Sequence, residues 1–107
     1  MKEELTKSMK KQLRTLAGLA HSRELSSELS TLEAHFAQWR AGQLDAFDLS
    51  ALIHGFHDGP ARDLYKQYVL GDPSWSVAAA IERGILTEAE AGPAVVALLS
   101  PKTLRLR

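Results

Sequence analysis

The residues best suited to chemistry in this sequence lie in one short run, His54-Gly-Phe-His57-Asp58-Gly-Pro-Ala-Arg62-Asp63. Side chains three apart on a helix share a face, so His54 and His57 could approach one divalent ion. Asp58, four residues after His54, and Asp63 beyond it would add carboxylate oxygens. Two imidazoles with one or two carboxylates suit zinc or iron, with a position left open for water. Such residues more often sit on a solvated face. His54 would then pair with Asp58, and His57 would lie against the last carbonyls of a helix, where a cation is favourable. The cluster stands as a metal or partner site, and no cofactor is expected.

Other chemistry is thin. Asp45 and Asp48 form a carboxylate pair, but two acids in a first helical turn serve the N-terminal dipole and imply no acid–base role. There is no glycine-rich phosphate loop, nucleophile elbow, HExxH or dinucleotide fingerprint. With no cysteine anywhere, disulfides, thiolate nucleophiles and sulfur-ligated metals are excluded. Nothing in the residues argues for an enzyme.

Lys2, Lys7, Lys10, Lys11 and Arg14 outnumber Glu3 and Glu4 near the N-terminus, yet the formal net charge of the chain is zero. A protein that depends on phosphate contacts is usually clearly basic, so this stretch reads as a solvated helix face and nucleic acid is not the expected partner. The first ten residues lack the apolar stretch of a signal peptide. The longest apolar run, Ala94 to Leu99, falls far short of the roughly 20 residues of a membrane span. A cytoplasmic protein away from membranes is expected.

At 107 residues the chain can build one compact core. Leu5, Met9, Leu13, Leu16 and Ala20 recur at helical spacing and predict a first helix over about 3–19. Leu25, Leu29, Leu32, Phe36 and Trp39 alternate spacings of four and three, the pattern of a helix that packs lengthwise on another. On a common wheel the two stripes centre near about 170° and about 340°. A break at Gly18 and His21-Ser22, with Ser22 as N-cap, is therefore expected. The alternative is one long helix whose ends meet different partners.

Gly42 closes this segment, and Asp45 caps a third helix to about His57, with Leu44 and Leu49 as its staple. Asp58-Gly59-Pro60 would end that helix and start another to Leu70, with Ala61, Leu64, Tyr65 and Tyr68 inward. Gly71-Asp72-Pro73 repeats that grammar before a helix rich in small residues, Ala78 to Ala80. Thr87 and Glu90 form a capping box for a last helix, kinked at Gly92-Pro93 and stopped by Pro101. All aromatics fall between Phe36 and Trp75. The central helices should therefore build the core, with Trp39 and Trp75 mainly filling it.

The expected fold is an all-α helical bundle of about five to six helices, long amphipathic ones first and shorter ones joined by Gly/Asp-Pro turns. Residues 1–101 form its single domain, and 102–107 a flexible basic tail. The leading functional reading is a non-catalytic helical interaction or regulatory module. Its partner is another protein or a second copy of itself, met through Leu25, Leu29, Leu32, Phe36 and Trp39. A small metal-binding protein built on His54, His57 and Asp58, and a nucleic-acid-associated regulator, are the alternatives.

Overall fold

The computed structural model describes residues 5–106, with side chains through residue 100. Helix α1 spans Lys7–Arg40 without interruption. Thr6 caps it, its hydroxyl oxygen accepting the Met9 N–H at 3.0 Å. It ends where expected, Gly42 taking φ +79, a left-handed backbone that glycine adopts without a Cβ penalty. The expected break near Gly18 and Ser22 is absent, and Ser22 caps nothing. A mid-helix glycine costs only about 1 kcal/mol. Each apolar stripe has its own partner, so the chain gains nothing by turning.

A second rod runs back along α1: α2 (Ala46–Phe56), a π-helical segment π1 (His57–Ala61), α3 (Arg62–Tyr65) and a second π segment π2 (Lys66–Leu70). The stop expected at Asp58-Gly59-Pro60 is thus overturned. Pro60 has no N–H to donate and its ring crowds the carbonyl four residues back. A turn widened to i→i+5 absorbs that residue without ending the helix. Asp45 caps α2 as expected, Oδ1 accepting the Asp48 N–H at 2.7 Å, while Asp48 Oδ2 accepts the Asp45 N–H at 3.3 Å. The acidic pair is a reciprocal cap.

Helix α4 (Pro73–Glu82) begins on Asp72, whose Oδ1 accepts the Ser74 N–H at 2.9 Å, with Pro73 in its first turn. Thr87 and Glu90 form the expected capping box on α5 (Glu88–Ala91). Gly92 is no mere kink: at φ +88 and ψ 156 it separates α5 from α6 (Pro93–Leu106). The α6 backbone continues through Pro101, so the expected stop there is absent; the tail expected over 102–107 falls on side chains, and on residue 107, that lie outside the described residues.

The core is a head built by the first half of α1 with the end of the second rod, α4, α5 and α6. Leu13, Leu16, Ala17 and Ala20 meet Leu64, Tyr68, Val77, Ala78, Ala80, Leu86, Val95 and Leu99, all buried. This corrects the expectation of an aromatic core, since Tyr68 is the one aromatic in that cluster. Alanines 78 and 80 let α4 approach closely. Beyond Leu25, α1 lies along α2, and the pair projects as an arm in a molecule measuring 61 × 25 × 23 Å. Replacing Leu86, 1% exposed, by Ala should cost about 2–5 kcal/mol in urea unfolding. Phe47→Ala, at a site 84% exposed, should change stability by no more than about 0.5 kcal/mol. Equal losses would contradict this division between head and arm.

Candidate interaction surface

Of the stripe Leu25–Trp39, the arm uses part internally. Leu25 packs against the head core, and Leu32 and Phe36 are half-buried beneath the second rod. Leu29 and Trp39 stay open to solvent at 45% and 43% exposure. Trp39 thus does not fill the core as expected, because the arm supplies a single facing helix at that level. Trp75, in the first turn of α4, is likewise partly exposed. On the second rod Phe47 and Ile53 are also exposed, and Leu49 alone among the arm residues is fully buried. Between the two helices lies a groove of about 240 Å³, walled by Leu32, Leu52, Phe56 and Pro60, with Glu28 and His35 at its edge.

The polar run 54–63 is only partly brought together. His57, Asp58 and Arg62, with Ala61 and Tyr65, line a surface depression of about 380 Å³ on the outer side of π1. His54 and Asp63 lie outside that lining. Among the described residues, no group of three or more His, Asp or Glu is placed to hold a metal ion. No ion pair is found among the five; His57 meets His54 through its backbone N–H, which donates to the His54 carbonyl. The π segment carries the helix past His57, so the terminal carbonyls it was expected to face are not exposed at that point.

The best-ordered polar groups are elsewhere, where arm meets head. The Tyr68 hydroxyl donates to Glu24 Oε2, and its ring stacks on His21 with centroids 5.5 Å apart and planes 16° off parallel. Arg83, at the end of α4, donates from Nη2 to the same Glu24 oxygen at 3.0 Å and to the Tyr68 oxygen at 3.1 Å. Burial, reinforced by the hydrogen bond to Glu24, raises the Tyr68 pKa well above that of a free phenol. The phenol therefore stays a donor, and the cluster is a structural joint with no evident reactive group.

Next to Glu24 in the chain, Arg23 grips Glu90 through two parallel hydrogen bonds of 2.9 and 2.5 Å and donates to the Ile85 carbonyl at 2.8 Å. Gln12 Nε2 reaches the Ala91 carbonyl at 3.2 Å. These contacts join residues 62 to 79 apart in sequence, and no local spacing announces them. Glu90 carries a second role beyond the cap that Thr87-Glu90 spells out. No family model matches the chain, and neither curated proteins nor solved structures match it. No helix among the described residues is long and apolar enough to cross a membrane.

The hydrogen bonds from Arg23, with the Thr87 N–H, hold the Glu90 carboxyl down from its usual 4.5 to about 2. A carboxyl whose folded pKa is depressed stabilises the fold above its unfolded pKa and loses that contribution as pH falls through the folded one. Glu90→Gln should therefore be less stable than wild type at neutral pH. The gap should narrow between about pH 4.5 and about pH 2. Chemical denaturation across that window measures it, and a gap constant with pH would mean the ion pair contributes nothing.

Proposed function

We propose that this chain is a non-catalytic helical interaction module that self-associates through the exposed side of α1. The observation that carries the reading is apolar surface left open along α1 itself, Leu19, Leu29 and Trp39 at 38%, 45% and 43% exposure. Exposed large apolar residues also lie on the second rod, among them Phe47, Ile53 and Leu70, but α1 is the one long element anchored in a closed core. Apolar surface held open on a rigid element is what a partner covers, and large aromatics such as Trp39 are favoured anchors. Nothing gathered around His54, His57 and Asp58 supports the metal reading comparably.

Self-association also fits the formal net charge of zero, which leaves little overall repulsion between copies. Light scattering behind size exclusion at two well-separated concentrations should give a dimer mass. Leu29→Glu should shift it to a folded monomer with unchanged helical circular dichroism. Leu32 is the wrong residue to change, being engaged by the second rod. A wild-type chain that remains monomeric at both concentrations refutes self-association.

A further inference from the structure

Resting on the self-association reading, the geometry points to the arrangement: α1 pairs antiparallel with α1 of a second copy, about a two-fold axis near position 24. One face of α1 is uncovered along its whole length. At about 100° per residue, Lys11, Thr15, Leu19, Ser22, Ser26, Leu29 and Glu33 fall within an arc of about 80°. All of them are exposed. Neither the head helices nor the second rod takes this side.

The pattern on that face reverses about its own midpoint. Residues equidistant from position 24 match: Ser22 with Ser26 and Leu19 with Leu29, the two large apolar residues of α1 left open on this face, 38% and 45% exposed. An antiparallel two-fold pair sets Leu19 of each copy on Leu29 of the other, twice. The serines at the centre are short enough for the backbones to approach. A surface that is its own complement under a two-fold rotation defines an isologous interface.

Charge decides the direction. Of the charges on α1, Lys11 in the first half and Glu33 in the second lie on this face, while Arg23 and Glu24 are already paired with Glu90 and Arg83. Parallel pairing would lay Lys11 on Lys11 and Glu33 on Glu33. Antiparallel pairing sets Lys11 one turn from Glu33 of the second copy, twice. It also opposes the two helix dipoles.

The chain has no cysteine, so single replacements supply the only thiols. Reduced Leu19→Cys and Leu29→Cys proteins are mixed, allowed to exchange, and oxidised gently. The expected product is a heterodimer linked from 19 to 29. Leu19→Cys alone should stay uncrosslinked, since its two sulfurs would lie about 15 Å apart along the axis, beyond the roughly 6 Å Cα separation a disulfide accepts. Glu33→Lys should weaken dimerisation about tenfold, the reversal acting twice per dimer. Lys11→Glu added to Glu33→Lys should restore most of that loss. A dimer that links 19 to 19 as readily as 19 to 29, or that shows no charge rescue, overturns the antiparallel arrangement and leaves self-association standing. A monomer at every concentration overturns both.

Discussion

A helix buries one stripe against one set of neighbours, and the architecture of this molecule depends on α1 changing that stripe from one side to the other partway along. Up to Leu25 its apolar residues pack into the head, against α4–α6 and the end of the second rod; beyond it Leu32 turns to Leu52 and Phe56 of α2. The two faces lie about 170° apart on a common wheel. Both belong to one hydrogen-bond ladder of 34 residues. The stiffness of that ladder fixes head against arm, and each remaining element lies where it can cover one of the two stripes. The short helices after Gly71 cover only the first half, which is why the second half has a single neighbour.

Where the stripe changes side, apolar packing alone cannot seal the joint, because no single face of α1 is inward there. The molecule uses polar groups instead. Tyr68 reaches the joint with a buried ring and a hydroxyl that needs a partner. Glu24 supplies it from α1, and Arg83 balances the carboxylate from the end of α4. Hydrogen bonds to charged groups contribute roughly 1.5–3 kcal/mol, whereas an orphaned buried hydroxyl would cost a comparable amount. Among the described residues no buried side-chain polar atom lacks a partner. The Arg23–Glu90 pair then fastens α5 to the same stretch of α1, so three elements converge on residues 21–24.

Much of this was legible from local rules. The caps at Asp45 and Thr87 depend on side chains within three residues of the N–H they accept, and both formed as read; the cap at Asp72 sits where Gly71-Asp72-Pro73 marked a helix start. The all-helical class followed from spacing alone. What misled was punctuation: Gly18, Ser22 and Asp58-Gly59-Pro60 read as stops, yet the helix runs through each. A glycine or serine only weakens a helix, and a proline can be absorbed by a π turn when both flanking segments have surfaces to bury. At Gly92 the reverse held, where a kink was expected and a positive φ ends the helix outright. The joint was illegible because Glu24, Tyr68 and Arg83 are far apart in sequence, and nothing local marks Arg23 for Glu90. Aromatic content misplaced the core, since a side chain's size says what it could bury and not whether a second layer will arrive to bury it.

That missing layer gives the arm its character. Two helices alone enclose a single seam, and here the seam buries Leu49 fully while Leu32 and Phe36 remain half-covered. Such a pair has little independent stability; isolated helices are marginal in water and gain from tertiary packing. The arm is held out because α1 is anchored in the head, so its outer residues contribute little to holding the fold. Phe47 in the first turn of α2 makes the point: behind the Asp45 cap it sits almost wholly in water and adds nothing to the core. Exposed apolar residues at the end of a rigid projection lower solubility with no gain in folded stability. Under the proposed self-association, these residues would be part of what a second copy could cover.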